Sequence, residues 1–354
     1  MNAEIFIDYF GTDRFSTLIG LSVGLLFGAF AQQSKFCLRA ACIEFWRGKP
    51  NNKFSIWLMT FATALVATQL IIELHYVNPN DIRTLNSVGS LSGAIIGGLM
   101  FGAGMVMARG CASRLLVLSA TGNMRALVAG LVVTVVAQAS LRGALSPARE
   151  SLSGLWVIQA HQRGFVHWLP DYSSILLGLT ILVAGLWLAR KHQVTGWVRI
   201  SALITGFSIA LGYLLNSWHA AESFDIVPIK SVSFTGPSAD TLMGLINTPS
   251  LPLTFDVGLV PGVFIGSLIA SVVSRQFEWQ QFTHETKLWR YLVGASLMGF
   301  GSMLAGGCAV GAGVSGGALL GVTAWTALFF MWVGAGLADL LLDRRQLEAA
   351  SCNS

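Results

Sequence analysis

Charged side chains are scarce in this sequence. Only 11% of its 354 residues are Asp, Glu, Lys or Arg, whereas soluble domains carry roughly 25%. Hydrophobic residues make up 54% of the chain, and its mean hydropathy is +0.65. So little charge excludes a soluble globular fold, and the composition also excludes a disordered chain and a disulfide-rich secreted scaffold. It predicts an all-α polytopic membrane protein in a lipid bilayer.

The usual signatures of cofactor and nucleotide sites are also missing. The five cysteines form no Cys-x-x-Cys pair, and no histidine follows one at metal-ligand spacing, so zinc, iron–sulfur and thioredoxin-like sites are not expected. No Gly-x-x-x-x-Gly-Lys-Ser/Thr motif occurs, which excludes ATP hydrolysis by this chain as a driving force. The net charge of +5 comes from basic residues in short loops, where orientation signals belong. We therefore expect no cofactor, no metal and no nucleic-acid partner.

Nine apolar runs approach the length of a spanning helix, which needs about 20 residues. They cover residues 16–34, 54–75, 91–120, 124–145, 173–190, 199–215, 258–274, 288–318 and 322–342. As one helix, 91–120 or 288–318 would be about 45 Å long, half again the thickness of the hydrocarbon layer. Each of these two runs contains a glycine–cysteine step, at 110–111 and at 307–308. We predict that both helices are broken there and that their halves meet near mid-membrane.

An internal repeat relates the two long runs. A shift of 197 residues lays seven residues of the first run, one of them a cysteine, onto identical residues of the second. Because an offset of five spans reverses the direction of the chain, the halves are expected to form an inverted repeat, as in many transporters. This predicts a single transport domain (1–354) with one half at about 16–145, a linking span at 173–190 and the other half at about 199–342. Close packing of glycine-rich helices would explain the glycines but not the paired cysteines.

The distribution of basic residues predicts the orientation. They concentrate in the loops 35–53, 190–199 and 275–290, whereas the long segment 216–257 contains only one. Because basic loops stay in the cytoplasm, the N-terminus is expected in the periplasm and the C-terminus in the cytoplasm. The long segments 146–172 and 216–257 are then external.

Cys111 and Cys308 are the first candidates for binding a substrate. They follow Gly110 and Gly307, which let the backbone leave helical geometry, and the next half-helix begins with unpaired N–H groups that attract anions. A polarizable thiol adds a soft contact suited to a sulfur-containing anion. Arg109 joins these candidates, because an arginine inside a span is costly and usually functional. Free cysteine also often fills buried space, and that structural interpretation stays open.

Cys37 is the third candidate. It lies three residues past the first predicted span, between Lys35 and Arg39. The two cations would favour its thiolate and attract an anion. They are more simply interpreted as basic residues of a cytoplasmic loop.

At these residues the sequence resembles the YeeE/YedE family of bacterial inner-membrane sulfur transporters, whose characterised members take up thiosulfate. The resemblance rests on three segments, Ser34–Cys37, Gly104–Cys111 and Gly301–Gly311. It implies that Cys37, Cys111 and Cys308 line a narrow path between two half-repeats, along which thiosulfate is relayed through S–H contacts. It also implies a location in the inner membrane and, as a partner, a small cytoplasmic sulfur-carrier protein that docks near the loop 35–53.

The first functional hypothesis is a permease that brings thiosulfate, or a similar small sulfur-containing anion, into the cytoplasm. The alternative is a membrane thiol oxidoreductase or sulfurtransferase that uses the same three cysteines covalently. Such an enzyme would normally need a resolving cysteine at short spacing, which the sequence lacks. A third interpretation is a structural subunit with inert cysteines. We expect a transporter and not an enzyme, with Cys42 and Cys352 outside its path.

Overall fold

The computed structural model describes residues 11–82, 85, 88–159, 164, 172–223, 227–247, 252–280 and 288–344. Both ends of the chain and Cys352 lie outside the described residues. The helices are α1 (Thr12–Ser34), α2 (Leu38–Trp46), α3 (Asn52–Glu73), α4 (Leu91–Met107), α5 (Ala112–Ala120), α6 (Met124–Arg142), α7 (Ser146–Ser153), α8 (Ser173–Lys191), α9 (Gly196–Glu222), α10 (Thr235–Asn247), α11 (Phe255–Val273), α12 (Leu288–Leu304), α13 (Ala309–Ala318) and α14 (Val322–Ala338). Residues Pro79–Asp81 form a 3₁₀ turn, and the short strands β1 (Gly89–Ser90) and β2 (Val157–Ile158) pair antiparallel.

The described residues contain eight helical segments that are long and apolar enough to cross a membrane. A ninth is formed by α12 and α13, which are bent by 41° at the break between them. The prediction of an all-α polytopic membrane protein with about nine spans is therefore confirmed. Two of the spanning helices begin at polar caps, since Ser90 Oγ accepts the N–H of Gly93 and Asn123 Oδ1 accepts the N–H of Ala126.

Both predicted helix breaks are present. The first long run divides into α4 and α5 and the second into α12 and α13, with the glycine–cysteine steps at 110–111 and 307–308 between the halves. The broken helices α4 and α12 also pack against each other. At their contact, a Cβ added to Gly97 would lie 2.5 Å from the carbonyl oxygen of Gly301. Glycine is needed there because the two backbones touch.

Two predicted boundaries were wrong. The segment 35–53 was expected to be a loop, but it contains the helix α2, which contains neither glycine nor proline and buries Leu38, Ala41 and Cys42 on one face. The sixth span was expected to end at residue 215 and instead continues to Glu222. Polar residues near these ends lowered the local hydropathy, although the backbone continues as helix.

The glycines of α1 serve helix packing, as the alternative explanation suggested. Gly20, Gly24 and Gly28 face the backbone carbonyls of α11, and a Cβ on Gly24 would lie 2.5 Å from the carbonyl oxygen of Leu259. Small residues let two spanning helices approach until their backbones touch, which is the main source of packing energy in a bilayer.

Helix packing supports the predicted repeat. The shift of 197 residues carries Leu91–Met107 onto Leu288–Leu304 and the start of α5 onto the start of α13. The pair formed by α4 and α14 in one half corresponds to the pair formed by α12 and α6 in the other, and both pairs are in contact. In the same way, the contact of α2 with α3 corresponds to the contact of α10 with α11. A repeat of two halves related by a two-fold axis would show this exchange of partners, whether the axis is in the membrane plane or along its normal. It also makes α10 the counterpart of α2.

Three cysteine-capped helix breaks as a candidate transport site

Three helix breaks in this chain share one backbone geometry. In each break a residue in the left-handed conformation ends a helix, the next residue bonds back to the carbonyl five positions earlier, and a cysteine follows. The left-handed residues are Lys35 (φ 53°), Arg109 (φ 57°) and Gly306 (φ 83°). The three backbone hydrogen bonds run from Phe36 to Ala31 (3.3 Å), from Gly110 to Met105 (3.1 Å) and from Gly307 to Ser302 (2.7 Å). This geometry is a standard way to end a helix.

In all three breaks the cysteine starts the next helix. Cys37, Cys111 and Cys308 are in the extended conformation, and the carbonyl of each accepts the first intrahelical hydrogen bond. Sequence reasoning had identified only the last two as helix breaks. Each cysteine therefore lies where the unpaired N–H groups of a helix start are concentrated, which is the feature that attracts anions.

The thiols of Cys37 and Cys111 are brought together. The two side chains lie close enough to interact, and Cys111 Sγ lies 3.4 Å from Ser113 Oγ. Cys111 is buried and Cys37 half-buried, and both are free thiols. The sequence showed no cysteine at short spacing that could resolve a covalent intermediate, but the fold supplies a thiol next to Cys37.

Basic and amide side chains surround this thiol pair. Arg114, in the first turn of α5, donates a hydrogen bond to Gln32 Oε1 on α1 (3.2 Å). Gln32 in turn donates to Gln276 Oε1 (3.3 Å). Arg39, Lys53 and Arg114 lie within electrostatic range of Cys37, and Lys35 lies within range of Lys53. Sequence reasoning did not identify Gln32, Lys53 or Gln276 as part of the site. Gln32 is more than 80 positions away in the chain from both of its partners, Arg114 and Gln276.

Cys308 has different surroundings. It is buried, and its sulfur accepts the N–H of Gly311 at 3.4 Å. Residues 227–234, which are neither helix nor strand, pack against this break, since Ser315 Oγ donates to the carbonyl of Val232 (2.7 Å). Under the shift of 197, the counterpart of Cys37 here is Phe234 and that of Arg114 is Gly311. In the described residues no hydrogen bond joins Cys308 to the other two cysteines.

The remaining predicted site residues lie at the same breaks. Arg109 is exposed, so its side chain lies outside the packed helices. Gly110 is buried, and a Cβ there would come within 3.2 Å of Leu115. Gly307 is also buried and has a φ of 156°, and a Cβ there would meet the backbone nitrogen of Ala312 at 2.8 Å. Within the described ranges, no three His, Cys, Asp or Glu side chains are grouped as metal ligands.

These features define a helical multi-pass membrane protein whose paired broken helices resemble those of transporters. The family model described as Sulphur transport matches residues 33–337, so the chain belongs to this family and the resemblance to YeeE/YedE proteins is confirmed. The chain is similar to the thiosulfate transporter TsuA of Escherichia coli (strain K12), with 27% identity over 94% of this chain and 96% of the relative. It is also similar to TsuA of Spirochaeta thermophila, with 26% identity over 92% of this chain and 99% of the relative.

Proposed function

We propose that this protein is a permease for thiosulfate. The observation that carries the proposal is the repeated break, in which a free thiol lies at the start of a half-helix in three places. Thiosulfate is a small anion with a soft terminal sulfur, so it suits a helix start for its charge and a thiol for its sulfur. Two relatives that align over nearly their whole length are named thiosulfate transporters.

The proposed path runs between Cys308 and the pair Cys37 and Cys111. Each thiol donates its S–H to the passing anion and releases it, since a neutral hydrogen bond contributes only on the order of 1 kcal/mol net. Weak successive sites suit conduction, which requires that the substrate enter and also leave. Gly110 and Gly307 keep side chains away from the anion, and the exposed Arg109 attracts it.

The positive charge at one end of the path gives it a direction. Arg39, Lys53 and Arg114 lie within electrostatic range of the thiol pair and Lys35 lies within range of Lys53, whereas the equivalent break at Cys308 has glycine in the positions of Arg109 and Arg114. With basic segments on the cytoplasmic side, the pair lies toward the cytoplasm and Cys308 toward the periplasm. The N-terminus is then periplasmic, the C-terminus cytoplasmic, and the membrane the bacterial inner membrane.

The same proposal covers the organisation and the partner. The two halves, 16–145 and 199–342, form the inverted repeat, with 173–190 as a linking span. The repeat is supported by two equivalent contacts, of α4 with α14 and of α12 with α6. A small cytoplasmic sulfur-carrier protein receives the sulfur near residues 35–53. Consumption of the sulfur there draws thiosulfate inward without ATP hydrolysis by this chain.

The contact between Cys37 and Cys111 is the one observation that favours covalent sulfur chemistry. We propose transport without a covalent step, and hence no enzymatic activity, because both relatives are named as transporters. Uptake of radiolabelled thiosulfate into liposomes that contain only the purified protein tests this directly. Transport needs only the protein, whereas an enzyme would require an electron or sulfur acceptor. If thiosulfate enters the liposomes only when such an acceptor is added, the proposal is contradicted.

A further inference from the structure

A groove between α6 and α10 contains two adjoining cavities. One has a volume of about 200 Å³ and lies beside the first half of α6, from Ala126 to Thr134. The other has a volume of about 750 Å³ and lies beside the second half, from Val135 to Gly143. Leu242 of α10 lines both cavities, so the two spaces follow one another along the spanning helix.

The smaller cavity is apolar. Its walls include Leu116, Leu127, Leu131 and Leu245. Gly130 on its wall leaves open space, since a Cβ built there would have no neighbour within 4 Å. A glycine that contacts nothing is unlike those of α1 or α4, which are required by close backbone contact.

The larger cavity is charged. Lys230 Nζ and Asp256 Oδ2 lie 2.6 Å apart on its wall and form an ion pair. Arg142, in the last turn of α6, and Asp240, on α10, line the same space. Burial and the nearby Asp256 carboxylate raise the pKa of Asp240, and Arg142 and Lys230 act in the opposite direction. A further cation close to Asp240 would therefore stabilise its charged form.

The equivalent groove in the other half of the protein is filled by its own side chains. It lies between α14 and α2, which correspond to α6 and α10 under the shift of 197 residues. Trp46 Nε1 donates to the carbonyl of Trp332 (2.9 Å), and the rings of Phe45 and Trp332 are 5.4 Å apart. At the corresponding positions of the open groove stand three smaller side chains, Met243 for Trp46, Leu242 for Phe45 and Val135 for Trp332. The open groove thus lacks apolar volume that its counterpart has.

The open groove also lacks the counterpart of one ion pair of the filled groove. In the filled groove Arg47 donates two hydrogen bonds to Asp339 (2.6 and 2.9 Å). The residue equivalent to Asp339 is Arg142, and the residue equivalent to Arg47 is Gly244, which has no side chain. Among the described residues, no carboxylate lies within ion-pair distance of Arg142. The groove therefore lacks both an apolar filling and a carboxylate paired with Arg142.

We infer that this groove binds one phospholipid with a zwitterionic, amine-bearing head group, of the phosphatidylethanolamine type. The phosphate lies at Arg142, the ammonium at Asp240, and one acyl chain runs along α6 into the apolar cavity at Gly130. The arrangement suits a membrane lipid, because Arg142 is at the end of a spanning helix and Gly130 is near its middle. A lone anionic lipid head group would match Arg142 but leave Asp240 opposed to its charge.

The experiment is native mass spectrometry of the whole protein, reconstituted in equal amounts of phosphatidylethanolamine and phosphatidylglycerol and then released from detergent. We expect one retained phosphatidylethanolamine per protein. Gly130→Phe fills the apolar cavity and should lower this retention by about tenfold, because the acyl chain loses its buried surface. Val183→Phe on α8, at a side chain that is 64% exposed, is the matched control and should retain lipid as the unmodified protein does.

Two further variants test the head group. Arg142→Gln should lower the retention of both lipids by about tenfold, because the charge-assisted contact to phosphate is lost. Asp240→Asn should remove the preference for phosphatidylethanolamine over phosphatidylglycerol. Arg190→Gln, in the last turn of α8, is the control for loss of an arginine at a helix end.

Three results would overturn the inference: equal retention of both lipids by the unmodified protein, no retained lipid, or full retention by Gly130→Phe. If Gly130→Phe does not fold, Leu242→Phe replaces it in the test. This variant copies Phe45 of the filled groove and occupies the same space. Full lipid retention by Leu242→Phe would likewise overturn the inference. Thermal unfolding of each variant in detergent separates lost folding from lost lipid.

Discussion

Cys37 and Cys111 are 74 residues apart in the chain, yet their side chains lie close enough to interact. Each caps a helix that starts after the same left-handed turn. The equivalent break in the second half has one thiol, Cys308, with Phe234 in place of the other. The proposed path is therefore asymmetric, with two adjoining thiols and most of the positive charge at one end and a single thiol at the other.

The first prediction concerns the three cysteines. Cys37→Ala, Cys111→Ala and Cys308→Ala should each lower thiosulfate uptake into liposomes by about tenfold or more, because one site of the relay loses its donor. Serine keeps a donor but lacks the polarizable sulfur, so the serine variants should also be impaired.

Cys42→Ala is the control, since Cys42 is buried inside α2 and is not at the start of a helix. It removes a buried thiol as the other variants do and should transport normally. Normal uptake by Cys111→Ala and Cys308→Ala would show instead that these cysteines only fill space.

The second prediction concerns Arg109, which is held in the left-handed conformation (φ 57°) where the second half has Gly306. Arg109→Gly removes a backbone cost of about 1 kcal/mol and should unfold at the same temperature or a higher one. If the guanidinium attracts the anion, the substrate concentration for half-maximal uptake should rise by about three- to tenfold, and the dependence of uptake on ionic strength should weaken.

Arg109→Gln separates the two effects, because it removes the charge and keeps the strained backbone. It should show the same loss of affinity as Arg109→Gly without the gain in stability. Unchanged uptake in both variants would remove Arg109 from the path.

The spans and two of the breaks followed from the sequence because hydropathy and glycine report directly on membrane burial and helix ending. The break at Cys37 did not, because its left-handed position is occupied by Lys35 and the next residue is Phe36. Neither residue favours that turn, and the conformation costs Lys35 roughly 1 kcal/mol. Burial of Phe36 helps to offset this cost. Only the cysteine that follows, as in the other breaks, could have indicated it.

The surroundings of the thiol pair were also beyond sequence reasoning. Gln32 meets Arg114 from a different helix, and no local pattern predicts which side chains meet across 82 positions. The helix α10 was missed for another reason. It has only 13 residues, too few to span a bilayer, and it lies within a segment expected to be an external loop.

The third prediction concerns the ion pair between Arg47 and Asp339, whose carboxylate side chain is 2% exposed. Arg47→Ala leaves this carboxylate buried without its partner and should lower the free energy of unfolding by about 2 kcal/mol. Arg149→Ala, which breaks the exposed pair with Glu150, is the control and should change it by less than about 1 kcal/mol. Thermal unfolding in detergent measures both, and equal effects would contradict the assigned role of the buried pair.

The last prediction concerns the chemistry of the relay. If the thiols act by hydrogen bonding alone, the protein should carry thiosulfate under strongly reducing conditions, and no persulfide should accumulate on Cys37, Cys111 or Cys308. The neighbouring thiols make this a demanding test, because Cys111 is placed where it could attack a persulfide on Cys37, forming a disulfide and expelling hydrosulfide. The direct measurement is intact-mass spectrometry of protein trapped during uptake. A gain of about 32 Da that appears and disappears with turnover would identify a persulfide and favour the sulfurtransferase. An unchanged mass, with uptake lost in Cys37→Ala, would leave the hydrogen-bonded relay as the mechanism, since the thiol is then required without being modified.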